Sequence, residues 1–444
     1  MQPKLFPEVE KQLDLAAICK HAPEYTKSYG AHGFDFEVLD LSDVTFRPGT
    51  DESVHSWFRL TPSYSPELVR FFLKYLECDP ERVICDPFSG KGTTSIECQK
   101  QSFQAIAVEI NPLLAKVSNW ALKWDYELTS LDTDFKKIRE SFEKYHERSK
   151  SMKLEAFLDH FQLQLPLIHN PLRWWRECVL RELLLLRKLC SEKVTPDNSP
   201  FFSLLMSEAC LRCANIHRNH PTITFDDNHD RTIDVWQEFE DRFTKMRSDL
   251  KMLDKHSNGC FVIEGDSTRL SQTLGETEVH RVITSPPYPN RFSYIHQTRP
   301  QLFFMELIET AKEATEIDLA AIGGTWGRAT SVLEKEFIPP NPGTEGILDY
   351  VPELRKNSLL MCNYATKYFN MMHAHIRELK KTAAKGFKGV YVVGNSRLSG
   401  VEIVTEVILS KLFVLEGFNL DKIVVFRKRG GKKKLYETGV CVSL

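Results

Sequence analysis

Apolar positions along the chain follow two different periods. In SPELVRFFLKYL, Leu68, Phe71, Phe72 and Leu76 recur at helical spacing, with Ser65 placed to cap the first turn and Pro66 suited to it. RVICD is too short for a helix and reads as a buried strand; a glycine turn, a helix through TTSIECQK and a second strand, FQAIAVE, follow. This strand-turn-helix-strand unit predicts the start of a parallel sheet. From about 112 to 257 the pattern changes to charged, Leu-rich stretches such as LRELLLLRKLC, which read as a helical insertion. Strand patterning resumes in CFVIEGDS and VHRVITSPPY, and again in KGVYVVGNS. A helix from roughly 400 to 416 follows, and then KIVVF and LYETGVCVSL form a hairpin around Gly430 and Gly431. Residues 305–385 read as irregular, with PPNPG at 339–343 marking a loop, and the first 50 residues show no clear period.

The predicted fold class is α/β, with a mostly parallel sheet, a C-terminal antiparallel hairpin and a large helical insertion. The main body is expected to comprise residues 50–111, 258–304 and 386–444. The insertion at 112–257 would form one accessory region and residues 305–385 a second.

A length of 444 residues fits one large domain with insertions, or two to three domains, and 42% apolar with 27% charged residues is an ordinary globular composition. The amino terminus lacks the pattern of a secretory signal, and no apolar run approaches the ~20 residues of a membrane span. The expectation is a cytoplasmic protein without a membrane partner. Eleven scattered cysteines point to reduced thiols. A net charge of −2 gives no global attraction to nucleic acid, so local charge has to decide. The last hairpin carries seven basic residues against Asp421 and Glu437, and Arg427, Arg429, Lys432 and Lys433 are placed to touch phosphates near its tip. A solvated basic face is the ordinary alternative for such a run.

Two glycines in DPFSGKGTT, Gly90 and Gly92, stand at a strand-to-helix turn, where missing side chains let a ligand approach the backbone. A phosphate-binding P-loop requires a glycine where this chain has Cys85 and a hydroxyl residue where it has Gly92. A dinucleotide fingerprint requires a third glycine where Ser95 stands. What remains is a nucleoside site of related geometry. Glu109 ends the next strand, about 20 residues on, where such sheets hold a ribose diol, and a third strand closes on Gly265 and Asp266.

With these residues in view, the chain resembles the S-adenosylmethionine-dependent amino-methyltransferases of DNA. DPFSGKGT is similar to their cofactor motif, EINP follows the second strand, and TSPPY is similar to the catalytic tetrapeptide of the cytosine-N4 enzymes. TPSYSPELV is similar to their segment beside the methionine end of the cofactor, and the late strand and final hairpin also match. The resemblance implies a Rossmann-like methyltransferase sheet and S-adenosylmethionine as cofactor. It implies cofactor contacts from Ser65, Pro66, Asp86, Phe88, Gly90, Gly92, Thr93, Glu109 and Asp266. Asp266 would take the adenine amino group, and Asp86 would orient the methionine end. It further implies double-stranded DNA as partner, and a cognate restriction endonuclease acting on the same site. The cofactor motif precedes the catalytic one, unlike the order in many enzymes of this type.

The catalytic residues implied are Ser285, Pro286, Pro287 and Tyr288. An exocyclic amino group is a poor nucleophile, because its lone pair is delocalised into the ring. Acceptors at Ser285 and the Pro286 carbonyl would bind its protons and align the lone pair. Consecutive prolines fix φ and remove N–H donors, and Tyr288 offers a ring for a flipped base. Adenine-N6 transfer is the nearest alternative, followed by an RNA substrate and by a cofactor-binding regulator without turnover.

Three further stretches have two readings each. Cys210, Cys213, His217 and His220 have the residue types of a zinc site. On one continuous helix they would spread over about 15 Å, too far for an ion with ligands at about 2.3 Å, so no metal is expected. Trp174 and Trp175, flanked by Arg173 and Arg176, are either an aromatic-basic surface or buried anchors of the insertion. Arg291 and Tyr294 either line a target-base pocket or begin a core helix carrying Leu302, Phe303 and Phe304.

Overall fold

The computed structural model describes residues 33–38, 51–60, 63–149, 151–217, 223–226, 232–255, 259–324, 328–429 and 435–444. Its centre is an eight-stranded sheet. In chain order the strands are β1 (Phe36–Val38), β2 (Ile84–Asp86), β3 (Ala105–Glu109), β4 (Phe261–Glu264), β5 (Val279–Thr284) and β6 (Ala383–Gly394). A small hairpin of β7 (Ser396–Leu398) and β8 (Val401–Ile403) stands apart from the main sheet. The last two strands are β9 (Asn419–Arg429) and β10 (Leu435–Ser443). The spatial order of the main sheet is β1-β9-β10-β6-β5-β2-β3-β4.

β4, β3, β2, β5 and β6 all pair in parallel, whereas β10 is antiparallel to both β6 and β9. The chain leaves β2 towards β3 on one side and returns through β5 on the other. The order therefore reverses between β2 and β5, and a crevice opens at their carboxyl ends. This is a Rossmann-like, mostly parallel sheet with a C-terminal antiparallel hairpin, the expected fold class. β1, parallel to β9, adds an edge strand from a segment without clear patterning.

Helix α1 (Pro66–Tyr75) begins at Ser65, whose side chain accepts from the Glu67 N–H. Helix α2 (Thr93–Lys100) starts from Gly92, which has φ +86°, and an added Cβ there would lie 3.0 Å from the Ser118 side chain. The turn needs a left-handed residue and has no room for a side chain. Helix α3 (Pro112–Leu122) is capped by Asn111, which accepts from the Leu113 and Leu114 N–H groups.

The described residues between 112 and 255 are mostly helical. They contain α4 (Leu128–Ser149), α5 (Glu177–Lys193), α6 (Ser199–Arg212) and α7 (Val235–Leu250), and α6 packs against α3 and against α8 (Tyr294–Phe304). Trp174 and Trp175 are buried, and the Trp175 indole donates to the Cys210 carbonyl at 2.8 Å, so these rings anchor the insertion. α6 stops at Arg212, leaving Cys210 and Cys213 in the core and His217 beyond the helix end; His220 lies outside the described residues.

The expectation of an irregular 305–385 is corrected. This stretch holds helices at Ala311–Ala320, Arg328–Leu333 and Val351–Asn357, and then α9 (Leu359–Thr382). The PPNPG loop interrupts the pattern, and the buried face of α9 mixes Asn363, Thr366, His373 and His375 with its apolar residues, which blurs the stripe. The last helix, α10 (Thr405–Leu415), begins later than expected because β7 and β8 occupy the residues before it. Among the described residues, no helix is long and apolar enough to cross a membrane.

Candidate active site

A cavity of about 260 Å³ opens over the carboxyl ends of β2, β3 and β5. Its wall contains Phe88, Gly90 and Thr93 from the glycine turn, Glu109, Asp266, and all of Ser285, Pro286, Pro287 and Tyr288. The two motifs thus share one enclosure. Tyr294 and Arg427 also face it.

Glu109 is half-buried and opens on the cavity. Its Oε2 accepts from the Gly90 N–H at 2.7 Å and its Oε1 from the Asn111 N–H at 2.9 Å, which fixes the carboxylate across the glycine turn. Removal from water pushes its pKa up to about 7, against the pull of these backbone donors. Asp266 caps the 3-10 turn Ser267–Arg269, its Oδ1 accepting from the Thr268 N–H and hydroxyl at 2.8 Å each. Phe88 lies edge-on to the His375 ring, with centroids 4.9 Å apart.

Ser285 donates its hydroxyl to the Val392 carbonyl at 3.2 Å. With its proton so engaged, the oxygen meets a ligand as an acceptor. Tyr288 donates its hydroxyl to Glu437 Oε1 at 2.7 Å. Burial beside the Glu109 carboxylate raises the Tyr294 phenol above its ordinary pKa, so it stays protonated.

Four residues expected at the cofactor do not line the cavity: Ser65, Pro66, Asp86 and Gly92. Ser65 and Pro66 are occupied as the cap and first residue of α1, and Gly92 shapes the start of α2. Asp86 is fully buried and has a complete set of donors: the Thr284 and Thr94 hydroxyls at 2.5 Å each and the Phe88 N–H at 3.0 Å. Thr94 also meets the Tyr64 hydroxyl, and Tyr64 does line the cavity. Asp86 therefore joins β2, β5, α2 and the segment before α1 beneath the site. An amide at this position cannot accept from both hydroxyls. Asp86→Asn is expected to lower global stability by about 2–3 kcal/mol, measured as a shift in the denaturant midpoint of unfolding.

Arg291 is exposed, with φ +61°, and its backbone N–H donates to the Tyr364 hydroxyl. Arg427 faces inward, 2.7 Å from Glu437, instead of projecting from the hairpin. The Arg429 side chain, Lys432 and Lys433 lie outside the described residues.

Several residues of the site were not expected from the sequence. Ser63, Tyr64, Lys91, Asn111, Asn290 and Glu437 all line the cavity. Lys91, buried within the cofactor motif, donates to the His55 and Phe58 carbonyls at 2.7 and 3.2 Å, and desolvation lowers its pKa to about 7. It ties the 53–60 segment onto the glycine turn, while Trp57 ties the same segment to Asp249 of α7. His375 on α9 bonds the Ser267 carbonyl through Nδ1 at 3.1 Å and the Tyr391 hydroxyl through Nε2 at 2.7 Å. The first contact needs Nδ1 as donor; burial lowers the ring's pKa to about 4, so near neutral pH the ring is uncharged and Nε2 accepts from the Tyr391 hydroxyl.

Ala320, Ala321 and Ile322 close the cavity from the 305–385 region. The turn that follows is tight: a Cβ on Gly324 would fall 1.8 Å from the Asp318 carbonyl oxygen. Asp318 accepts from Ser293 at 2.6 Å, and Ser293 caps α8. Among the described residues, Glu52, His55 and Glu97 could together reach a metal ion, but Arg70 and Lys100 already neutralise that cluster.

The chain is similar over most of its length to three type II methyltransferases. It is 21% identical to M.MvaI of Kocuria varians over 412 residues, covering 87% of this chain and 86% of that protein. It is 22% identical to M.BsoBI of Geobacillus stearothermophilus over 436 residues, with 89% and 84% covered. It is 20% identical to M.AvaI of Nostoc sp. over 422 residues, with 88% and 84% covered. No protein-family profile matches the chain. Among solved structures, TrmN from Thermus thermophilus overlaps 90% of this chain and 52% of its own, with a TM-score of 0.32 and 9% identity. The rRNA methyltransferase aviRa from Streptomyces viridochromogenes overlaps 89% of this chain and 96% of its own, with a TM-score of 0.29 and 11% identity.

Proposed function

We propose that the protein is a DNA methyltransferase that moves a methyl group from S-adenosylmethionine to the N4 amino group of cytosine, with the base turned out of duplex DNA. The observation that carries the reading is the single enclosure shared by the Gly90 turn and the Ser285–Tyr288 corner. Similarity to type II methyltransferases over most of both chains supports the DNA substrate and a place in a restriction-modification system; a cognate endonuclease acting on the same site belongs to the proposal.

The residues of the cavity fit the cofactor. Glu109 has a fixed carboxylate with lone pairs left for a ribose diol, Asp266 and Phe88 line the same cavity and would hold the adenine, and Gly90 puts no side chain in the way. Bound there, S-adenosylmethionine supplies an electrophilic methyl group on a sulfonium centre. The Ser285 oxygen and the Pro286 carbonyl accept hydrogen bonds from the amino group of the base and direct its lone pair towards that methyl group, and the one proton displaced on methylation is lost to solvent. Tyr288 holds the base by its ring, and the adjoining apolar wall of Pro287 and Ile322 limits water. The helical 112–257 region, residues 305–385, Arg291 after the Ser285–Tyr288 corner, and the lysines at the tip of the basic hairpin would contact the duplex.

Because an ionised carboxylate accepts from two hydroxyls at once and more strongly than the neutral acid, cofactor affinity should follow the Glu109 titration near pH 7. Affinity is expected to tighten by about tenfold from pH 6 to pH 8 in calorimetric titrations, and to lose this slope in Glu109→Gln. The function itself is tested by incubating unmodified plasmid with the purified protein and S-adenosylmethionine, digesting to nucleosides and separating them. N4-methylcytosine is the expected product. N6-methyladenine alone would move the assignment to adenine, and methyl transfer to structured RNA in preference to duplex DNA would overturn it.

A further inference from the structure

Glu437 is a carboxylate at the edge of the cavity, only 7% exposed, on the middle strand of the β9-β10-β6 ladder. It stands opposite Arg427, with Nε 2.7 Å from its Oε2, while its Oε1 accepts the Tyr288 hydroxyl at 2.7 Å. The register of the ladder slips at this point. Glu437 pairs with Arg427 but the next residue, Thr438, pairs with Val425, so Phe426 is an extra residue on β9. A bulge of this kind bends the strand and re-aims neighbouring side chains.

Pro286 and Pro287 fix the backbone of the catalytic corner, but they do not fix the torsions of the tyrosine side chain that follows. The hydroxyl anchor supplies that second constraint from across the cavity. The enclosed carboxylate is in turn oriented by the Arg427 guanidinium beside it.

We infer that Glu437, oriented by Arg427, is a positioning residue that holds the Tyr288 ring in the plane against which the target base stacks; this rests on the methyltransferase reading of the same site. Glu437 acts through the tyrosine and touches neither the transferred methyl group nor the amino nitrogen. The tyrosine hydroxyl therefore has a role that phenylalanine would not fill in this chain.

The test is a double-mutant cycle on the full-length protein, with single-turnover methylation of duplex DNA and calorimetric S-adenosylmethionine affinity as readouts. Tyr288→Phe and Glu437→Ala should each slow methylation about tenfold, and the combined variant should be no slower than the slower single, because both remove one hydrogen bond. Cofactor affinity should stay within about twofold throughout, and Glu437→Gln, whose amide oxygen still accepts, should recover most of the rate. If the alanine variant fails to fold with Arg427 left uncompensated, Arg427→Met/Glu437→Met takes its place with the same expected loss of rate. Wild-type rates in the Glu437 variants, rate losses that multiply in the combined variant, or a loss of cofactor affinity equal to the loss of rate would each overturn the inference. Absence of transfer by the unaltered protein would instead refute the methyltransferase reading on which it rests.

Discussion

Tyr288→Ala is expected to reduce the rate of DNA methylation roughly a thousandfold while S-adenosylmethionine affinity changes by no more than about twofold. Loss of the stacking surface accounts for part of this, since a base on an aromatic ring is held by about 1–3 kcal/mol. The remainder comes from geometry, because a small misplacement of the reacting amino group costs about a hundredfold. The ring is held by the double-proline corner at one end and by the Glu437 carboxylate at the other. Single-turnover kinetics with saturating duplex separate the two contributions. A variant that keeps its rate but binds the cofactor poorly would place the tyrosine on the wrong side of the cavity.

Glu109→Ala should have the opposite signature, weakening S-adenosylmethionine roughly a hundredfold with a much smaller change in the rate of transfer at saturation. Hydrogen bonds to a charged group contribute about 1.5–3 kcal/mol each, and a ribose diol would make two. The substitution also frees the Gly90 and Asn111 N–H groups, which the carboxylate now satisfies. Glu109→Gln keeps one acceptor oxygen and isolates the effect of charge. Calorimetry reads the affinity, and thermal unfolding of the variant without cofactor shows whether the turn itself has been lost.

The parts of the site legible in the sequence are those carried by short contiguous segments. Gly90 and the Glu109 strand end are local, and the tetrapeptide Ser285–Tyr288 announces itself through two prolines, so their shared cavity follows once the strands are ordered into a parallel sheet. Asp86 was legible as a strand-end acid but not in its surroundings. Thr284 comes from β5 and Thr94 from α2, and only the pairing of β2 with β5 makes the three converge beneath the cavity floor. His375 shows a harder limit: it sits on the buried face of a long helix, where sequence pattern distinguishes it in no way from a core residue, yet it fastens the turn after Asp266. In the sequence Glu437 reads only as a minor offset to the basic hairpin. Its role depends on a bulge that turns it towards Tyr288 from a distant part of the chain. The helices within 305–385 were missed because a proline loop and polar positions on the buried face of α9 interrupt the apolar stripe.

The most direct test of the account is a crystal structure of the protein with S-adenosylhomocysteine and a short cytosine-containing duplex. The account predicts the ribose hydroxyls on the Glu109 carboxylate, the sulfur facing the Ser285–Tyr288 corner, and an extruded cytosine stacked on the Tyr288 ring with its amino group between the Ser285 and Pro286 oxygens. A ligand bound away from the Gly90 turn, or a base left stacked in the duplex with its amino group remote from Ser285, would contradict it.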